Sequence, residues 1–168
     1  MSTAIRPRTA DFAAAKQLAR RVLEENAIIE PPVIAAELVA SYGLEAMTAV
    51  FQPGYEHIAG FIDFDTLKIY VNGDESLQRQ NFTIAHELGH YLLGHRQESG
   101  YTVLLRNPDG MVKTPIEQEA NCFAANLLVP GSFLLQYLED YPGISDHQLT
   151  KFFGVSVDVI RYRRLYVK

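Results

Sequence analysis

The sequence is poor in three features that would each place a chain in a particular class of protein. It has one cysteine, Cys122, so the chain cannot build an internal disulfide framework or a four-thiolate zinc site. No stretch approaches the roughly 20 apolar residues that span a bilayer, and the N-terminus lacks the apolar run of a signal peptide. The 15 Lys+Arg are outnumbered by 20 Asp+Glu, which excludes a general attraction to nucleic acid. We therefore expect a cytoplasmic protein that neither enters membranes nor binds nucleic acid directly.

The composition is that of an ordinary globular domain. The chain has 168 residues, of which 48% are hydrophobic and 21% charged, and it contains no repeat or linker. A chain of this length buries roughly 70% of the surface that its unfolded form exposes, so it can fold without a structural metal. Any metal site must therefore be argued from chemistry, within a single domain spanning residues 1–168.

The spacing of apolar residues predicts an α+β fold. We expect two N-terminal helices, then a short antiparallel sheet, then a helical C-terminal half in which 94–114 is irregular. The expected strands are 44–51, 57–64 and 67–71. The expected helices are 9–26, a segment from Pro31 to Gly43, 77–93, 115–129, 132–141 and two short helices flanking Gly154.

A His-Glu-x-x-His sequence lies inside the helix expected over 77–93. Residues four apart share one helix face, so His86 and His90 can bind one Zn²⁺ through their ring nitrogens. Glu87 follows the first histidine directly and can accept a proton from an attacking water. Leu88 and Leu92 supply apolar backing that would hold the histidines toward a cavity. The motif thus indicates a hydrolytic metal site.

A catalytic zinc normally has three protein ligands, so the motif needs one more. The extended metzincin pattern fails, because Leu93 and Arg96 stand where it requires Gly and His. We interpret His95 as a histidine that meets the exposed carbonyls at the helix end. A following helix offers Glu117 and Glu119, and helical periodicity alone does not choose between them.

Two stretches carry a family resemblance, RQNFTIAHELGHYLL at 79–93 and EQEANCFAANLLVP at 117–130. Together they resemble the paired signatures of the ImmA/IrrE family of zinc metallopeptidases. The resemblance implies a small zincin-like fold, Zn²⁺ as cofactor, His86, His90 and Glu119 as its ligands, and Glu87 as general base. It also implies a protein substrate, namely a helix-turn-helix repressor or antitoxin in a mobile-element, stress-response or toxin–antitoxin context.

The resemblance covers roughly 31–166 and suggests three parts of the domain. These are an N-terminal helix at 1–30 outside the match, a zinc-peptidase core at 31–142, and a helix-turn-helix-like subdomain at 143–168. We expect a substrate strand to pair with an exposed sheet edge at 67–71. Cys122 is expected to be a small buried side chain.

Two alternatives do without proteolysis. Residues 145–168 carry five basic and two acidic residues, a local charge of 5 − 2 = +3, which would suit a DNA-binding regulator. Alternatively, the metal could be structural in a protein-binding toxin or adaptor. A structural zinc ion is usually bound by four protein ligands, with no position left for water, and Glu87 would then have no catalytic role.

Overall fold

A four-stranded mixed sheet forms one layer of the molecule. The computed structural model describes residues 8–96, 100–105 and 114–167. The strands are β1 (Glu45–Ala49), β2 (Ile58–Asp63), β3 (Lys68–Asn72) and β4 (Tyr101–Leu105), in the order β1-β3-β2-β4. β2 pairs antiparallel with β3 and with β4, whereas β1 runs parallel to β3.

This sheet corrects three expectations. It is mixed and not antiparallel, because β3 lies beside β1 and runs in the same direction. The segment expected to be irregular contains β4, whose pairing with β2 is a long-range contact that local sequence pattern does not reveal. The expected edge strand, β3, lies between β1 and β2, so the outer strands of the described sheet are β1 and β4.

The helical layers follow the predicted α+β plan, and that fold class is confirmed. The helices are α1 (Phe12–Glu25), α2 (Ala35–Leu38, continued by a 3-10 turn over Val39–Tyr42), α3 (Leu77–Leu92), α4 (Pro115–Leu128), α5 (Gly131–Asp140), α6 (Asp146–Phe153) and α7 (Val157–Tyr166). Four of these helices begin after a residue whose side-chain oxygen accepts a hydrogen bond from a backbone amide of the first turn. These residues are Asp11 before α1, Ser76 before α3, Thr114 before α4 and Ser145 before α6. None of the helices in the described ranges is long and apolar enough to cross a bilayer.

Helix α3 lies between the sheet and α4, and two glycines allow this close approach. A Cβ on Gly60 of β2 would come within 2.5 Å of the Thr83 side chain on α3. On the opposite side, a Cβ on Gly89 would lie 2.7 Å from the Phe123 ring of α4. As a result every residue from Thr83 to His90 is buried. Helix α4 in turn packs against α1 as well as α3, so it has two buried faces.

Candidate metal centre

The two motif histidines lie at the centre of the molecule. His86 and His90 are one turn apart on α3, both are 0% exposed, and their Nε2 atoms are 3.0 Å apart. Their rings meet edge to face, with centroids 4.6 Å apart. The helix therefore aims both ring nitrogens at one point, as the four-residue spacing predicts.

Glu117 of α4 completes a group of three ligand atoms with these histidines. Its Oε2 lies 3.3 Å from His86 Nε2 and its Oε1 lies 3.0 Å from His90 Nε2. Burial by itself raises the pKa of the Glu117 carboxyl, but its interactions with the two neighbouring imidazoles outweigh burial and hold that pKa well below its usual range. Glu117 is thus a carboxylate at neutral pH.

A second hydrogen bond orients each imidazole. His86 Nδ1 lies 3.0 Å from Oδ1 of Asn121, one turn after Glu117 on the same face of α4. An amide oxygen accepts and cannot donate, so the His86 proton lies on Nδ1 and Nε2 carries the lone pair. His90 Nδ1 lies 3.0 Å from Nδ1 of His95. Partners of this kind fix which nitrogen a metal can reach.

Glu119 lies in a different place from Glu117. Its Oε2 is 2.7 Å from His95 Nε2, and its Oε1 accepts a hydrogen bond of 2.7 Å from the Asp11 amide. Arg8 donates to both oxygens, at 3.0 and 2.7 Å. Burial raises the pKa of Glu119, but the Asp11 amide, His95 and Arg8 together lower it below its usual value.

This placement differs from the expectation for the third ligand, which the resemblance assigns to Glu119. The structure does not bring Glu119 to the two ligand nitrogens, because the His95 ring stands between Glu119 and His90. The reason is helical geometry: residues two apart point to nearly opposite sides of a helix, so Glu117 faces α3 while Glu119 faces the N-terminal segment. His95 also differs from its expectation. Its ring is buried and binds Glu119 and His90 side chains, not helix-end carbonyls.

The three converging atoms fit a metal ion. The ligand atoms of His86, His90 and Glu117 all lie within 4.8 Å of one another. Atoms bound to one tetrahedral ion at about 2.0–2.1 Å lie about 3.3 Å apart, close to the 3.0–3.3 Å found here. With the imidazole protons on Nδ1, all three are lone-pair acceptors facing one another in a buried site, an arrangement that a cation stabilises.

Two other residues of the sequence prediction are accounted for. Glu87 is 0% exposed and follows His86 directly on α3. Cys122 is buried against α1, where its thiol lies 3.9 Å from the Phe12 carbonyl, and burial raises its pKa. It is outside the three-atom group, as expected of a small buried side chain.

Sequence reasoning missed Asn121 and the buried role of His95. The four-residue spacing of Glu117 and Asn121 was a usable signal, because it puts an acid and an amide on one helix face, as His86 and His90 are on theirs. No sequence signal indicated that Arg8, which is 111 positions from Glu119, would contact it.

Comparison with known proteins agrees with this architecture. A peptidase family model described as IrrE N-terminal-like domain matches residues 39–164. Metallopeptidase ImmA from Bacillus subtilis (strain 168) is 35% identical over 99 residues, which cover 59% of this chain and 56% of that relative. The match thus spans about half the length of the relative.

A solved structure shares the fold. A Mycobacterium tuberculosis transcriptional regulator superposes with a TM-score of 0.64 at 20% identity, covering 90% of this chain and 55% of the regulator. At that identity the likeness is one of fold alone. The family match, by contrast, covers most of the chain, including α3 with His86 and His90 and α4 with Glu117 and Glu119. The chain therefore belongs to the ImmA/IrrE family of metallopeptidases.

Proposed function

We propose that this protein is a zinc-dependent endopeptidase in which His86, His90 and Glu117 hold the metal and Glu87 is the general base. The observation that carries the proposal is the convergence of three potential ligand atoms at 3.0–3.3 Å, two of them on fully buried imidazoles that are each hydrogen-bonded to a further partner. Glu117 takes the role that the resemblance gave to Glu119, and Glu119 stays outside the ligand set.

The reaction needs a Lewis acid, a base and a proton donor to the leaving group. Zn²⁺ bound by these three ligands would polarise the scissile carbonyl and lower the pKa of a water toward ~7. Glu87 accepts the proton of the attacking water and returns it to the leaving amine, so one carboxylate serves in both steps. Its burial keeps bulk water away from that exchange. His86 and His90 stay fixed because α3 is packed on both sides.

The substrate is proposed to be a cytoplasmic helix-turn-helix repressor or antitoxin, as the family resemblance implies. The direct test mixes the purified protein and zinc with the repressor encoded beside it and follows the cleavage products by mass spectrometry. Glu87→Gln should abolish cleavage while retaining zinc, and the exposed Glu24→Gln is the matched control. Equal cleavage by wild type and Glu87→Gln would exclude Glu87 from the mechanism.

A structural role for the metal is the competing proposal. Three protein donors would leave room on a bound ion for water or substrate, which favours a catalytic site over a structural site with four protein ligands. A denatured peptide library separates the two ideas without knowledge of the natural substrate. Stoichiometric zinc with no cleavage of any peptide, by the wild type and by Glu87→Gln alike, would support the structural role.

DNA binding is less well supported by the C-terminal helices. Helices α6 and α7 are joined at Gly154, as a helix-turn-helix requires, but the three arginines of α7 contact acceptors within the protein. Arg161 and Arg164 lie 3.5 and 3.1 Å from the Asp146 carboxylate, and the largely buried Arg163 donates to the Val129 carbonyl at 2.9 Å. These contacts within the protein reduce the positive charge that the described part of this segment offers to phosphates.

A further inference from the structure

A continuous line of buried hydrogen bonds leads away from His90. His90 Nδ1 is 3.0 Å from His95 Nδ1, and His95 Nε2 is 2.7 Å from Glu119 Oε2. The three side chains are 0%, 6% and 2% exposed. At its far end the Glu119 carboxylate is held by the Asp11 amide and by the Arg8 guanidinium. Glu119 thus joins the N-terminal segment to a proposed metal ligand.

When a metal occupies the position facing His90 Nε2, the Glu117 carboxylate would bind that metal and would not accept a proton from His90, and the chemistry of the groups would then set the direction of every proton in this line. A carboxylate accepts only, so His95 donates to Glu119 from Nε2. A neutral His95 then has its lone pair on Nδ1 and accepts the Nδ1 proton of His90. His90 is left with a bare Nε2, which is the nitrogen that faces His86 and Glu117. The opposite tautomer of His90 would place a proton where the metal must bind.

We propose that Glu119 and His95 are positioning residues that fix the tautomer and orientation of His90, and that the segment carrying Arg8 and Asp11 anchors them. The proposal rests on the proposed function, since it takes His90 to be a metal ligand. Arg8 and Asp11 precede the residues matched by the family model, so this anchor is a feature of the present chain outside that match.

The two imidazoles are supported differently. His86 is oriented by one neutral amide, Asn121, on the same helix as the third ligand. His90 is oriented through a second imidazole backed by a charged carboxylate, which makes it the more basic nitrogen ligand. Removal of an orienting partner of this kind typically weakens metal binding 10–100-fold. Metal binding through His90 should therefore depend more strongly on a neighbouring charge than metal binding through His86 does.

The first test measures zinc affinity of full-length variants by competition with a chromogenic chelator. Glu119→Ala and His95→Ala should each weaken binding about 10–100-fold. His95→Gln should restore most of the affinity, because its amide oxygen can accept the His90 Nδ1 proton as Asn121 does for His86. Arg8→Gln should cause a smaller loss than Glu119→Ala, since Arg8 is 58% exposed and the Asp11 amide remains. The exposed Glu24→Ala is the control.

The second test reads the tautomer without metal. Long-range ¹H–¹⁵N NMR of the metal-free protein should show His95 protonated at Nε2 and unprotonated at Nδ1 in the wild type, because Nε2 donates to Glu119, and a mixture of His95 tautomers in Glu119→Ala. Should Glu119→Ala not fold, Arg8→Gln provides the comparison, because it removes an exposed side chain and leaves no core cavity. Unchanged zinc affinity together with an unchanged His95 tautomer in the variants would overturn the inference. A wild type that binds no zinc would overturn the proposed function, while the tautomer measurement would still decide this inference.

Discussion

The stability gained from zinc gives a quantitative test of the ligand assignment. A ligand that binds the native state alone adds RT ln(1 + [L]/Kd), which is about 2.7 kcal/mol when free zinc is 100 times Kd. For a chain of this size each kcal/mol shifts the midpoint of thermal unfolding by about 2–4 °C, so the wild type should gain about 5–11 °C. Glu117→Ala removes the carboxylate that lies 3.0 and 3.3 Å from the two imidazole nitrogens.

Loss of this ligand should weaken binding by at least the ~100-fold upper range for an orienting partner. At the same free zinc the ratio [L]/Kd then falls to about 1 or below, and the stabilisation falls to about 0.4 kcal/mol, or about 1–2 °C. Differential scanning calorimetry at neutral pH in zinc buffers measures both values. Glu24→Ala, on the exposed face of α1, should keep the full wild-type gain.

The same calorimetry on the metal-free protein tests the separate, structural role of Glu119. Glu119→Ala leaves the buried His95 ring without its acceptor, which costs about 1–3 kcal/mol. Its midpoint should therefore drop before any zinc is added. The assignment of Glu117 as a ligand would be refuted if Glu117→Ala retained the wild-type zinc gain.

Three further predictions concern the rest of the site. Glu87→Gln should lower the cleavage rate about 10²–10⁴-fold with unchanged zinc content, and a matching loss of zinc would instead make Glu87 a ligand. Asn121→Ala should weaken zinc binding about 10–100-fold, as measured by chelator competition, and wild-type affinity would show that the Asn121 contact does not orient His86. Gly89→Ala places a methyl group 2.7 Å from the Phe123 ring, so it should cost about 1–3 kcal/mol in urea unfolding, whereas a neutral effect would mean that α3 and α4 separate freely.

Helix α4 explains why the acid was the hardest part of the site to identify. Periodicity tells which residues share a face, and it correctly groups Glu117 with Asn121 and separates both from Glu119. It does not tell which neighbour each face meets. Helix α4 has one buried face on α3 and another on α1, so both acids are partly or fully buried and both look like site residues.

The sequence by itself determined the helix that carries the chemistry. His86, Glu87 and His90 have their relative positions from the α-helical repeat, which is a local property, and Ser76 starts that helix through a local hydrogen bond. The single cysteine and the charge balance also excluded whole classes of protein without reference to any fold. These conclusions needed no long-range contact.

Tertiary structure alone decided what surrounds that helix. It joined β4 to β2, placed β3 inside the sheet, brought Glu117 to the histidines and set Arg8 on Glu119. Each of these depends on residues distant in the chain being packed together, and the energy of such contacts comes from burial and geometry that a local pattern does not encode. The kind of chemistry could therefore be predicted from one short segment, whereas the proposed ligand set depends on the contact between two helices.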